Sequence, residues 1–231
     1  MERHALAFRT KPGAGPEVAR LLSNYSAPRL DSDGTRLLGT AVFVKDDLVV
    51  GTMEIEGDLR RAAIHLAQDP VIQEVGRGLL PHLTVSCDPS DPRQRAAFMA
   101  AQATTLLMHR GSPDAGTGTR HALSYPIRPG RADIAARVLT EAGDPPLRSG
   151  GTKLCSTSIF RQGDTIVRVF EIDGLIEELL ENLAASVEVH KVGRGMGELF
   201  EGWYDFTSAE GLRKFFHDNL MTTVSDRRAG Q

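Results

Sequence analysis

The 231-residue chain has only two cysteines, Cys87 and Cys155, and a single tryptophan, Trp203. The cysteines share no metal-type spacing, which argues against a structural zinc or a disulfide framework and leaves both as small core residues. No stretch approaches the roughly 18 apolar residues that a membrane span requires. The opening "MERHALAF" lacks an apolar run with a small-residue cleavage site, so the expectation is a cytosolic protein that makes no use of a membrane. A basic surplus is missing too. With 27 Lys and Arg against 30 Asp and Glu, the formal net charge is −3, without the clustered cations that would make nucleic acid a partner. Only five of those cations are lysines, so a lone arginine carries little weight. What remains, 41% hydrophobic and 25% charged, is ordinary for a soluble globular chain of one large or two small domains.

What the sequence does contain is a repeat. "RHALAF" at Arg3 returns as "RHALSY" at Arg120, and "VGRG" at Val75 returns at Val192, both 117 residues on. The same offset pairs Thr35 with Thr152, Thr40 with Thr157, Phe43 with Phe160, Glu54-Ile55 with Glu171-Ile172, and Gly57 with Gly174. A register held without a gap identifies a tandem duplication. Its expected boundaries are residues 1–108, a Gly- and Ser-containing linker at 109–119, and residues 120–231.

Each copy opens on a strand-like alternation, with His4, Leu6 and Phe8 on one face and Arg3, Ala5, Ala7 and Arg9 on the other. Pro16 then suits the first turn of a helix, where a missing N–H costs nothing. Two β-rich runs follow, joined by "KDD" in one copy and "RQGD" in the other, as in a hairpin. A second helix leads through VGRG to a short strand expected at His82 to Cys87 and at Leu199 to Tyr204. A last helix is expected at Arg93 to Met108 and at Ala209 to Leu220. The order β-α-β-β-α-β is the ferredoxin-like split unit. The fold class is therefore α+β: two tandem ferredoxin-like (βαββαβ) domains forming an intramolecular dimeric α+β barrel.

VGRG sits at the end of a helix rather than after a strand, and it lacks the third glycine of a dinucleotide fingerprint. It reads as a helix terminus, its glycines serving as left-handed caps. Arg77 and Arg194 then either point inward or are solvated charges at a helix C-terminus.

The tandem "RHAL" strands, the hairpins running from Thr40 to Ile55 and from Thr157 to Ile172, and the paired VGRG segments resemble the SchA/CurD-like family of bacterial aromatic polyketide and spore-pigment biosynthesis. That resemblance implies an aromatic polyketide intermediate as partner, other polyketide synthase components as further partners, and a homodimer as one assembly. Barrel relatives in such pathways include cofactor-independent monooxygenases that turn anthrones into quinones, and cyclases. The implied function is a tailoring enzyme with no cofactor and no metal, a monooxygenase ahead of a cyclase. A non-catalytic polyketide-binding subunit and a haem protein are the other classes.

Either chemistry needs a dry pocket, a base and an oxyanion donor. Candidate catalytic residues are His121, which is repeated as His4; His190, which is not repeated; and Arg168, which replaces Gly51 in mid-strand, where an arginine without an anionic partner is expensive to bury. Tyr125, Arg194, Trp203 and Tyr204 are candidates for binding a flat substrate. Glu54 and Glu171 read most simply as solvent-facing strand residues. The asymmetries place the better-developed pocket in the second copy.

Overall fold

The computed structural model describes residues 1–25, 30–32, 34–85, 88, 91–112, 118–142 and 151–228. The first copy folds as β1 (Glu2–Arg9), α1 (Gly15–Ser23), β2 (Asp31–Ser32), β3 (Thr35–Lys45), β4 (Leu48–Glu56), α2 (Leu59–Gln68), α3 (Pro70–Leu79), α4 (Pro92–Gln102) and β5 (Thr105–Gly111). The second copy folds as β6 (Thr119–Tyr125), α5 (Ala132–Ala142), β7 (Lys153–Gln162), β8 (Thr165–Asp173), α6 (Ile176–Ala184), α7 (Val187–Met196), α8 (Ala209–Asn219) and β9 (Thr222–Arg228). β4 and β8, α3 and α7, α4 and α8, and β5 and β9 match residue for residue at the offset of 117. The fold is α+β, in two tandem halves.

The local signals act as their chemistry requires. Pro16 lies in the first turn of α1. Asp58 and Asp69 cap α2 and α3 by accepting from the amides of Arg60 at 2.7 Å and Val71 at 2.8 Å. Gly174, at φ 124°, ends β8 with its α-carbon packed against Thr152, where a β-carbon would stand 2.4 Å from Oγ1. No helix among the described residues is long and apolar enough to cross a membrane.

The closing strand departs from expectation. Residues 80–82 and 197–199 form 3-10 turns, and each is followed by only an isolated bridge, Thr10 to Leu83 and Ile127 to Phe200. Gly202, at φ 82°, then turns the chain, so Trp203 and Tyr204 are on no strand. Cys87 lies outside the described residues. The expected helix from Arg93 to Met108 stops at Gln102, where Thr104 turns back to donate its amide to Ala5 O at 3.0 Å, and Thr105 begins a strand. The true closing strands are β5 and β9, each after the last helix of its copy.

Their destination is also unexpected. The chain forms two compact units, residues 1–105 with 222–231, and residues 106–221. The first has a sheet of order β1-β4-β3-β2 with β9 paired to β3; the second has the order β5-β7-β8-β6. Each sheet is thus completed by the final strand of the other copy. His109 to Gly111, which the sequence suggested as the start of a linker, are the end of β5, and residues 113–117 lie outside the described residues.

Arg3, Ala5 and Ala7 of β1 are buried on one face, while Arg9 at the strand's end is exposed. Glu54 and Glu171, however, are not solvent-facing: they are 4% and 1% exposed. Glu54 takes Arg3 and Arg228 at 3.1 Å each, and Glu171 accepts from Ser156 Oγ at 3.1 Å and from the Gly118 amide at 3.0 Å. A buried carboxylate survives only where such partners replace its water.

Candidate functional site

Cross-strand register builds the site in the second unit. β8 runs between β6 and β7, with Leu123 and Ile159 on either side of Arg168, His121 and Thr157 on either side of Phe170, and Tyr125 and Arg161 on either side of Ile166. These residues share one face, because side chains on a strand alternate with period two. Tyr125, Arg168 and Thr157 therefore form a polar diagonal across three strands.

Over this face lies a cavity of about 150 Å³, lined from the sheet by Leu123, Tyr125, Leu154, Thr157, Arg168 and Phe170. Leu139 of α5, Leu179 of α6, Val192 and Met196 of α7, and Leu212, Phe215 and Phe216 of α8 supply the helical wall. α8 buries Leu212, Phe215, Phe216 and Asn219, the i, i+3, i+4, i+7 stripe of an amphipathic helix. A cavity of ~150 Å³ with similar walls holds benzene in another protein. One ring therefore fits inside, and exposed Glu188, in the first turn of α7, marks the mouth.

Aromatic rings in the walls pack against one another. Phe200 and Phe215 have centroids 5.0 Å apart, Phe206 and Phe215 5.3 Å, and Tyr204 meets Phe215 edge-on at 5.0 Å. Such pairs contribute about 0.5–1.5 kcal/mol each beyond area burial. α8 is anchored in turn by Ser208, which caps it at Gly211 N, 3.1 Å, and by Asp205, which accepts from Ser208 Oγ and Thr207 Oγ1, both at 2.6 Å. Those hydroxyls, with the Thr207 amide, pull the Asp205 carboxyl down to about 2.

Of the residues singled out from the sequence, the structure brings Tyr125 and Arg168 to the cavity. The others lie apart from its lining. His121 is on the same sheet face, its ring stacked 6.3 Å from Phe170. His190 donates from Nδ1 to the Phe206 carbonyl at 2.9 Å, since a ring nitrogen facing a carbonyl must carry the proton. Tyr204 packs behind the wall and accepts from Asn219 Nδ2 at 3.4 Å. Arg194 is exposed on α7, as a solvated charge near a helix C-terminus. Trp203 is 85% exposed and lies outside this cavity's lining, against the expectation of a substrate platform: no strand forms at residues 199–204 to carry it inward. Among the described residues, no group of three His, Cys, Asp or Glu side chains is gathered for a metal.

Sequence reasoning missed Thr157 and Glu188. Thr157 was visible only as the repeat mate of Thr40, and Glu188, replaced by Val71 in the first copy, reads as one more surface acid. The glycines of VGRG are not left-handed caps: Gly193 and Gly195 lie inside α7, and neither has a positive φ.

The first unit lacks this site's chemistry, since Tyr125, Arg168, Glu188 and Phe200 correspond to Phe8, Gly51, Val71 and Leu83.

The chain is 32% identical to polyketide synthase CurD of Streptomyces cyaneus over 99% of its length, and 35% identical to a 42.8 kDa protein of the whiE locus of Streptomyces coelicolor over 98%. It spans 64% and 59% of those relatives, less than two thirds of either. In fold it resembles a provisionally assigned monooxygenase of Fusobacterium nucleatum, with a TM-score of 0.53 at 9% identity, covering 99% of this chain and 94% of that one. The SchA/CurD like domain matches twice, at residues 1–111 and 119–229, and with these relatives it makes the chain a member of the SchA/CurD-like family, carrying two copies of the domain.

Proposed function

We propose that the protein is a tailoring enzyme of aromatic polyketide biosynthesis, a cofactor-independent monooxygenase that oxidises a phenolic or anthrone ring to a quinone. The observation that supports this most is Arg168: one cation at the centre of a sheet face that otherwise walls the cavity largely with apolar and aromatic side chains. An anthrone is its own reductant. Loss of a proton gives an electron-rich enolate whose oxygen binds the guanidinium, and that anion reduces dioxygen. One oxygen atom becomes the new carbonyl and the other leaves as water with the two hydrogens of the oxidised methylene, so no outside reductant is needed. Arg168 stabilises the developing oxyanion where bulk water is largely excluded. Glu188, at the mouth, is placed to take the proton.

Oxygen uptake with 1,8-dihydroxyanthrone, corrected for autoxidation, tests the reading. Protein-dependent uptake with a product heavier by one oxygen and lighter by two hydrogens, abolished in Arg168→Ala and slowed in Glu188→Gln, is the expected result. Binding of the anthrone without uptake would direct attention to a cyclase, which needs the same base and oxyanion donor for aldol closure, or to a binding subunit.

A further inference from the structure

Among the described residues, the cavity lining includes a buried hydroxyl that the fold leaves unsatisfied. Thr157 is 2% exposed, faces the cavity, and its Oγ1 has no hydrogen-bond partner among the described residues. A buried hydroxyl in that position calls for a ligand to complete it. Thr157 stands across from Phe170, two residues along β8 from Arg168, so the two are diagonal neighbours with α-carbons roughly 7–8 Å apart. A long guanidinium and a short hydroxyl rising from adjacent strands onto one face meet a ligand side by side, not at its opposite ends.

We propose that this cavity selects ligands bearing two oxygens in a 1,3 relation, one ionised and held by Arg168, the other hydrogen-bonded by Thr157. The inference deepens the proposed function and rests on its reading of the cavity, because oxygens on alternate carbons are what cyclisation of a poly-β-ketone leaves along one edge of a ring. Tyr125 continues the same diagonal beyond Arg168. The first unit retains only the threonine, since its corresponding residues are Phe8, Gly51 and Thr40.

The test compares 1,8- and 1,5-dihydroxynaphthalene, isomers of equal mass that differ in whether their oxygens share an edge. Calorimetric titration under argon of the full chain is expected to favour the 1,8 isomer by about tenfold, the worth of one hydrogen bond. Thr157→Val is expected to abolish the preference, Thr157→Ser to retain it, and Thr40→Val, in the other unit, to leave it unchanged. Equal binding of the isomers by the native chain, a preference that survives in Thr157→Val, or one lost equally in Thr40→Val overturns the inference. Oxygen uptake without isomer preference defeats this inference and leaves the proposed oxidation standing, whereas preference without uptake does the reverse. Failure of both isomers to bind removes the site itself.

Discussion

The α-carbon of Gly193 lies against the ring of Phe206 so closely that a β-carbon there would stand 2.5 Å from Cδ1. In the repeated VGRG of α7, this glycine is a packing requirement that seats one wall of the cavity, while Gly195 beside it has nothing within 4 Å of where a β-carbon would lie. Gly193→Ala is expected to destabilise the protein by about 1–3 kcal/mol through overpacking. Gly195→Ala should be neutral or stabilising by up to about 1 kcal/mol, the helix-propensity difference. Urea unfolding of the two variants separates them, and equal losses would refute the packing role.

Arg168 should matter to binding more than to folding. Arg168→Ala is expected to weaken binding of an ionised naphthol by about ten- to a hundredfold, the range for hydrogen bonds to charged groups, with little loss of stability. In the native chain affinity rises as pH passes the ligand's own pKa; in the variant that rise disappears. Titrations at several pH values read both effects.

The buried carboxylate Glu54 serves the fold rather than the chemistry. It holds Arg3 at 3.1 Å and Arg228, of the last strand, at 3.1 Å. Glu54→Ala removes the buried carboxylate that pairs with Arg3 and Arg228 and is expected to cost about 3–5 kcal/mol. Glu17→Ala, which breaks the exposed pair with Arg20, should change nothing measurable. Denaturation midpoints of the two variants decide the matter.

Asp205 sets an acid limit. Its folded pKa, held at about 2 by Ser208 and Thr207, lies below the ordinary aspartate value of about 3.9. Its contribution is therefore complete above about pH 4 and is lost as pH falls from there toward 2. Asp205→Asn is expected to flatten the stability profile across that window, and a profile unchanged from the native one would show that the carboxylate does not anchor α8.

Much of this was written in local pattern. The offset of 117, the alternating faces of β1 and β6, Pro16 in α1 and the turn between β3 and β4 follow from periodicity and backbone chemistry, which act over a few residues. So does the special standing of Arg168, since a charge in mid-strand is conspicuous in any alignment of the two copies. The distant choices were not legible. The α4 to β5 boundary yields to a bond from Thr104 to Ala5, 99 residues away. β5 and β9 each join the sheet of the other copy, which no period can specify, because a strand's alternation is the same whichever edge it meets. Glu54 is buried because its pairing partners come from both ends of the chain, and Trp203 is exposed because the strand that would have turned it inward does not form. Thr157 looks like any strand threonine until the register sets it diagonally from Arg168 beneath a cavity. The sequence by itself determined the duplication, the faces and the family; the tertiary structure decided which strands pair and which polar groups meet, because those outcomes depend on contacts between residues far apart along the chain.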